Sequence, residues 1–492
     1  MRLLELIKDL TLLGKRNGNS DFEVSGISSD SRCVKAGDVF VACRGPQSDG
    51  HLFIREAIQK GAKVVVAEVP PEFAVPEPLV WLFVPDAREA LGSVLNRFYH
   101  FPSRQLDLIG VTGTNGKTTI AYLLNYLLNH KIRSAYIGTL GVYTSQFKRP
   151  LANTTPGSEE LFSLLAEMAQ DKVRAVALEV SSHALHQKRV NGHQFKLALF
   201  TQLTPEHLDY HVSLENYFQA KRLLFHLDPR PEYMLVNQDS SYGRRLLSEC
   251  PEAKSFSLEG KADYEVHPIE ASFEGSEFIF EGPQGKTEFK TQLPFKYNVA
   301  NAGAALASLD LLGFDPGDFR AALENFPGVP GRLERIEGNG FSVFVDYAHT
   351  PDAFENTLSE AKCLRPKRIL TLFGCGGDRD RLKRPEMTRI AYHYSDFVIL
   401  TSDNPRTEDP REILCQMRQG LPSASALPNV LEILDRSEAI DQLLNLAEPG
   451  DAVFILGKGH EDYQILGDQK KHFDDREVVR DFLLKRKTRV AL

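Results

Sequence analysis

A chain of 492 residues is too long for one hydrophobic core and, at roughly 100 to 200 residues per domain, divides into about three domains. Hydrophobic residues at 42% and charged residues at 25% exclude a disordered chain. A formal net charge of -8 excludes a protein that coats nucleic acid, so any phosphate it binds belongs to a small molecule.

In chain order, MRLLELIKDLTLLG carries Arg2, Glu5, Lys8 and Asp9 within its apolar pattern, which predicts an amphipathic helix and not a signal-peptide core. A strand near Asp38 to Cys43, a helix over HLFIREAIQKGA and the strand KVVVAEV make the first hundred residues an α/β unit. The pattern breaks at Pro102, and the buried strand LDLIGVT opens a second unit at Leu106. Further buried strands, VRAVALEV and FKLALFTQL, alternate with helical stretches and predict a parallel sheet covered by helices. Alternating side chains over 264–292, around Gly275, Gly282 and Gly285, predict antiparallel hairpins at its edge, and a helix follows from Asn298 to Leu312.

PGVPGR at 327–332 reads as a second linker. Four strands follow, each ending in a polar cluster: SVFV at Asp346 to His349, RILTLF at Gly374 to Asp378, FVILT at Ser402 to Arg406, and AVFIL at Gly457 to Glu461. Ligands of open parallel sheets lie beyond the carboxyl ends of the strands, so these clusters predict a substrate site. The domains expected are therefore 1–103, 104–329 and 330–492. No apolar run approaches the roughly 18 residues that span a bilayer, so the chain reads as cytosolic, with no membrane partner. The cysteines, Cys33, Cys43, Cys250, Cys363, Cys375 and Cys415, form no CxxC pair and read as reduced, with neither a disulfide framework nor a zinc site.

The strongest chemical signal is VTGTNGKTT at Val111 to Thr119, between a buried strand and an apolar helix. It departs from GxxxxGK[ST], because Val111 stands five before Gly116, yet the physics is that of a phosphate loop. Gly113, Thr114, Asn115 and Gly116 let backbone N–H groups close on phosphate, Lys117 adds a charge from an exposed loop, and Thr118 and Thr119 supply hydroxyls, that of Thr118 within reach of Mg2+. The plainer alternative is a glycine turn that merely enters a helix. ATP is the nucleotide expected. The strand ending at Leu178 runs into Glu179 to His183 and the next into Pro205 to His211, so carboxylates and imidazoles, Glu179, Glu206 and His207 among them, share the edge of the phosphate loop and can complete a Mg2+ shell, although an isolated histidine after a strand reads as an ordinary polar loop residue. Lys221, in NYFQAKRLLF, reads by itself as a solvated helical lysine.

GTNGKTT, NTTP, EVSSH, HLDYH, YxxAK, DYAHTPDAF, GGDRDxxKRP, DNPR and GKGHE occur in the order found in the Mur ligases, and the chain resembles that family over all three domains. The resemblance implies an α/β protein with a Rossmann-like N-terminal domain for UDP, a central P-loop ATPase domain and a Rossmann-like C-terminal domain that brings an amino acid. The implied activity is ATP-dependent addition of meso-2,6-diaminopimelate to UDP-N-acetylmuramoyl-L-alanyl-D-glutamate, by a cytoplasmic monomer that serves peptidoglycan synthesis, cell shape and division. It also implies roles for single residues. Ser31, Gly45, Pro46 and Gln47 hold the uridine nucleotide, and Asn153, Thr154, Thr155, Ser181, Gln187 and Arg189 hold the muramoyl peptide. Thr118, Glu179, His207 and a carbamylated Lys221 bind Mg2+, with Lys117, Lys221 and His207 as the catalytic set. Asn301, Arg332 and Asp346 approach adenine, phosphates and ribose, while Arg384, Asp403, Asn404, Pro405, Arg406, Gly457 and Glu461 select the amino acid. The segment PFKYNVAN departs from the family pattern at Lys296 and Tyr297, and Pro46 departs in its turn. A folylpolyglutamate synthetase shares the ATPase core and is the nearest alternative, opposed by the DSR segment and DNPR. A P-loop switch ATPase without ligase activity is the other. For Arg406 a simpler reading is an exposed ion pair with Glu408 or Asp409.

Overall fold

A computed structural model describes residues 1–17, 21–45, 48–71, 73–422 and 428–490. The strands fall into three main sheets, each drawn from one contiguous stretch of chain. In the first, Ile27–Ser28, Val39–Val41, Val64–Ala67 and Val80–Phe83 run parallel, and Gly14–Arg16 pairs antiparallel with the last of them. Most of the N-terminal helix expected from sequence does not form, and residues 7–13 run as turn and irregular chain into that edge strand. Only Leu3–Leu6 is helical, burying Leu3 and Leu6 and leaving Leu4 and Leu13 exposed. Beyond it the chain extends, and the Leu13 N–H donates to the Phe83 carbonyl at 2.8 Å, so sheet pairing overrides the local pattern.

The second sheet has 11 strands. Its centre is Asp107–Thr112, flanked in parallel by Ala175–Glu179 on one side and Leu197–Phe200 on the other. The chain leaves this strand in one direction and later returns to its other side, so the loop after Thr112 sits where strand order reverses, the place where such sheets bind ligands. Side chains alternate as the pleat requires: Leu108 packs into one apolar layer with Leu178, Phe200 and Phe218, and Ile109 and Val111 into the other with Leu123, Leu127 and Leu306. The antiparallel strands Tyr264–Ala271, Ser276–Gly282 and Gly285–Thr291 extend one edge, as the alternation over 264–292 predicts.

The third sheet orders Ser342–Asp346, Ala452–Leu456, Ile369–Cys375 and Phe397–Ser402 side by side and parallel. Phe344, Phe373, Leu400 and Phe454 fill one face, while Val343, Leu372, Ile399 and Val453 fill the other. All four polar clusters therefore emerge at one edge. Phe273 and Phe295, from the second unit, pack on Phe344 and tie that unit to the third. No helix among the described residues is long and apolar enough to cross a membrane.

Helix Lys296–Leu311 carries Asn301 toward the phosphate loop and rests on strand Tyr264–Ala271. Gly303 permits the close approach, since a Cβ there would stand 2.3 Å from Val266 Cγ2. Overpacking of this kind costs about 1–3 kcal/mol. Gly303→Leu should accordingly lower the thermal midpoint by several degrees and weaken nucleotide binding, both measurable by thermal unfolding with and without ATP; an unchanged midpoint would show that the helix moves freely.

Candidate active site

The phosphate loop is shaped by what lies beneath it. Gly113 has φ +145°, and a Cβ there would fall 1.8 Å from Thr201 Oγ1, while Thr201 Oγ1 donates to the Asn115 carbonyl at 2.6 Å. Gly116, at φ +87°, ends the turn and starts helix Lys117–Leu128. Lys117 is thus the first helical residue and half-buried, in contrast to the exposed position expected from sequence. Its Nζ donates to the carbonyls of Gly113 (2.8 Å) and Thr114 (2.7 Å), and burial lowers its pKa.

Glu179, at the end of its strand, is fully buried, and both carboxylate oxygens are occupied. Oε1 accepts from Tyr136 Oη (2.5 Å) and the Thr139 N–H (2.9 Å), and Oε2 from Thr118 Oγ1 (2.9 Å) and Thr139 Oγ1 (3.2 Å). The strand's partner loop reaches the same point, because Thr155 Oγ1 donates to the Glu179 carbonyl at 2.8 Å and accepts from the Ser181 N–H at 3.0 Å. Arg189 Nη1 donates to the Thr155 carbonyl at 2.9 Å, its Nη2 donates to Gln187 Oε1 at 2.8 Å, and Gln187 Nε2 donates to Tyr210 Oη at 3.2 Å. Thr154 joins through Thr139 at 3.1 Å, and Asn153 is exposed beside it. Thr154, Thr155, Ser181, Gln187 and Arg189, predicted together, form one network.

Lys221 overturns its local reading as a solvated residue. It lies on helix Leu214–Arg222, is 1% exposed, donates to the Gly113 carbonyl at 2.6 Å and stands 4.5 Å from the Tyr217 ring. Burial, with Lys117 adding to it, pushes its pKa well below the ordinary lysine value. His207 takes a left-handed backbone at φ 54°, and burial lowers its pKa too. Glu206, which the sequence places in the PEHLDYH cluster without a role of its own, lies among these groups: Tyr217 Oη donates to it at 3.4 Å, and the Nε2 atoms of His207 and His349 are 3.8 and 3.9 Å away. Its signal was adjacency to His207 in PEHLDYH.

An open cleft with about 1010 Å³ of empty space joins this loop to the third sheet, lined among others by Asn115, Gly116, Asn301, Arg332, Asp346 and His349. Arg332 lies over the Tyr347 ring at 4.4 Å and donates to Thr118 Oγ1 at 3.2 Å, and its Nε is buried with no partner. Asp346 accepts the N–H groups of Leu333 (2.6 Å) and Ala348 (2.7 Å), and burial raises its pKa. Asp352, the second aspartate of DYAHTPDAF, accepts from Asn115 Nδ2 (2.9 Å) and Thr204 Oγ1 (3.2 Å), a link between sheets two and three.

The remaining predicted residues separate. Ser31 Oγ donates to Glu56 at 2.8 Å and Gly45 closes a turn onto the Ser48 carbonyl at 2.7 Å, whereas Pro46 and Gln47 lie outside the described residues. Arg384, expected to grip an amino acid, is fully buried and forks onto Glu408 at 2.9 and 3.0 Å, with further bonds to Gln416 and the Gly376 carbonyl. Glu408 is thereby taken by Arg384 and not by Arg406, which removes the simpler reading of Arg406 as its ion-pair partner. Arg406, half-buried at φ 52°, donates only to carbonyls, those of Gly377 (2.9 Å) and Asn404 (3.4 Å). Arg379, missed although it lies in GGDRD, is exposed beside it, and its Nη1 donates to the Asp378 carbonyl at 3.1 Å. Asp403 Oδ2 lies 2.8 Å from where a Gly457 Cβ would be, and Asn404 Nδ2 donates to Glu461 at 2.8 Å. Pro405 is buried in the same turn. Burial and the nearby Asp403 push the Glu461 carboxyl above its ordinary range.

Comparison with known proteins agrees with this layout. Residues 23–99 match the model described as Mur ligase family, catalytic domain, residues 111–309 the Mur ligase middle domain, and residues 331–459 the Mur ligase, glutamate ligase domain. A UDP-N-acetylmuramoyl-L-alanyl-D-glutamate--2,6-diaminopimelate ligase of Syntrophomonas wolfei is 40% identical over 98% of this chain and 99% of its own length. A solved structure of a ligase of that name is 34% identical, covers 94% of this chain and 95% of its own, and superposes with a TM-score of 0.70. A folylpolyglutamate synthase of Mycobacterium tuberculosis is 18% identical, covers 75% of this chain and 92% of its own, with a TM-score of 0.62, which is a likeness of fold alone. The phosphate loop, the carboxylate that anchors it and the ligand edge of the third sheet are thus those of a Mur ligase, the family to which this chain belongs.

Proposed function

We propose that this chain joins meso-2,6-diaminopimelate to UDP-N-acetylmuramoyl-L-alanyl-D-glutamate in the cytosol, using ATP and releasing ADP and phosphate. The observation that carries the amino-acid assignment is that Arg406, which has no carboxylate partner among the described residues, and the carboxylates of Asp403 and Glu461 all lie around Tyr463. A guanidinium and two carboxylates grouped in this way suit a substrate end that bears both a carboxylate and an ammonium. The exposed Arg379 lies near Gly376, as Arg406 does, while Arg384, also expected to take part in selecting the amino acid, forks onto Glu408. The three domains, 1–103, 104–329 and 330–492, carry the UDP-linked acceptor, ATP and the amino acid respectively.

The acceptor's γ-carboxylate attacks the γ-phosphorus of ATP, forming an acyl phosphate as the bond to ADP breaks. The amine of diaminopimelate then attacks the acyl carbon, phosphate leaves, and the nitrogen loses a proton. Lys117 and Arg332 flank the path of the transferring phosphoryl group, and Lys117 can exchange its present carbonyl partners for phosphate oxygens. The unpartnered Nε of Arg332 is a further donor for that anion. Asn301 and Asp346 bound the nucleoside end of the cleft. The contacts of Asp352 with the phosphate loop hold the third sheet close and limit water at the acyl phosphate.

Thr118, Glu179, His207 and a carbamylated Lys221 would hold Mg2+. The oxygen-rich set fits that hard cation, since Thr118 and Glu179 already meet at 2.9 Å. When bound, Mg2+ neutralises charge on the phosphate oxygens. For Lys221 the burial-depressed ammonium favours the neutral amine, whose nitrogen bonds to the carbon of CO2 and releases a proton to leave a carbamate.

Phosphate release that requires both the UDP-linked dipeptide and diaminopimelate distinguishes this reaction from a nucleotide switch and from folate chemistry. Lys117→Ala should abolish ADP formation in a folded protein, checked by coupled assay alongside circular dichroism. Lys221→Ala is expected to be nearly inactive and partly restored by a small added carboxylic acid; full activity without the acid would disprove a carbamate role. For Arg406, loss of a desolvated charged partner typically costs about 2 to 5 kcal/mol, so Arg406→Ala should lower kcat/KM for diaminopimelate by roughly 30-fold or more. Arg406→Lys should fare nearly as badly because it loses the planar fork. Rates with diaminopimelate and L-lysine test this, and a wild type that prefers L-lysine, or mutants that keep the wild-type preference, would overturn the substrate assignment.

A further inference from the structure

Beneath the ends of the third sheet lies an ion pair that the reaction described above does not use. Arg436 and Asp475 are fully buried, and their side chains meet in a fork, Nε to Oδ1 at 2.8 Å and Nη2 to Oδ2 at 2.7 Å. Arg436 opens helix Arg436–Leu446 and Asp475 opens helix Asp475–Val490, so the pair joins two helices. The remaining donors of Arg436 reach forward. Nη2 donates to the Leu456 carbonyl at 3.0 Å and Nη1 approaches the Ser402 carbonyl at 3.5 Å. Leu456 and Ser402 are the last residues of their strands, and the next residues in the chain are Gly457 and Asp403. One guanidinium therefore holds two strand ends together where they deliver the amino-acid site. Those ends already touch closely, since a Cβ on Gly457 would stand 2.8 Å from Asp403 Oδ2.

The charges point the same way. Asp403, Glu461 and Asp475 face Arg436 and the fully buried Lys458, whose Nζ is 3.2 Å from Glu461 Oε2. Asp475 is matched by Arg436 within the pair, so the carboxylates this edge can offer an incoming ammonium are Asp403 and Glu461. A buried fork of this type stabilises a fold weakly compared with an apolar replacement, so its value here lies in what it positions.

We propose that Arg436, held by Asp475, is a positioning residue that sets the spacing and charge of the Asp403–Gly457–Glu461 edge for the ammonium of the incoming amino acid. This rests on the diaminopimelate reading above. The test is steady-state ligation by the full chain, with KM measured for diaminopimelate, ATP and the UDP-linked dipeptide, in wild type, Arg436→Lys, Asp475→Asn and the double variant Arg436→Met/Asp475→Leu, each with its thermal midpoint. Loss of groups that orient a site commonly costs about tenfold or more, so KM for diaminopimelate should rise at least that far while the other two stay within about twofold. The double variant should recover the wild-type midpoint, because both desolvation costs vanish together, yet keep the raised KM; it carries the test if Arg436→Lys does not fold. A double variant with wild-type KM for diaminopimelate, or a parallel rise in all three constants, would reduce the pair to a structural one. A wild type that does not respond to diaminopimelate would instead refute the substrate reading and is seen before any variant is made.

Discussion

The buried Glu179 carboxylate is the constraint from which the central site hangs. A fully buried carboxylate is tolerated only when its oxygens are hydrogen-bonded, and Thr118, Tyr136 and both donors of Thr139 meet that demand. The donors come from the phosphate-loop helix on one side and from strand Ser134–Gly138 with the turn after it on the other, so satisfying one anion fixes these two segments together. The Glu179 main chain anchors the acceptor network through Thr155. Gly138 is required by the same arrangement, since a Cβ there would lie 2.2 Å from Glu179 Oε1.

Around that anchor the site stores cationic groups at some cost. Burial lowers the pKa of both Lys117 and Lys221, and the Lys117 charge lowers that of Lys221 further. Glu206 lies where it offsets them, its carboxyl kept below its usual range because His207, Lys117, His349 and Lys221 outweigh its own burial. A polyphosphate entering the cleft meets a field already assembled, which is the arrangement that stabilises a transferring phosphoryl group without reorganisation. Arg332, at the end of the second linker, brings a further cation to Thr118, so a residue leading into the third unit meets the phosphate loop of the second.

The third sheet solves a different electrostatic problem. Its ligand edge carries charges of both signs. Arg384 is committed to Glu408 and Arg436 to Asp475, whereas Arg406 donates only to carbonyls. Parallel strands make this economical, because every strand delivers its loop to the same end.

Much of this was legible in the residues themselves. The strand, glycine turn and helix at Val111 to Thr119, the hairpins over 264–292 and the four polar clusters after apolar runs follow from periodicity and from glycine's freedom at positive φ, which are local properties. Lys221, Arg384, Arg406 and Glu206 were not legible in that way, since a charged side chain's role depends on what packs over it, and those partners lie far away in sequence: Gly113 over Lys221, Glu408 over Arg384, His349 beside Glu206. The N-terminal apolar pattern shows the same limit, because strand Val80–Phe83 captured a segment whose local preference was helical. Sequence alone determined which elements form and which edge carries the chemistry; tertiary structure decided which charges are spent inside the protein and which are left for ligands, because desolvation and hydrogen-bond satisfaction are properties of the assembled chain.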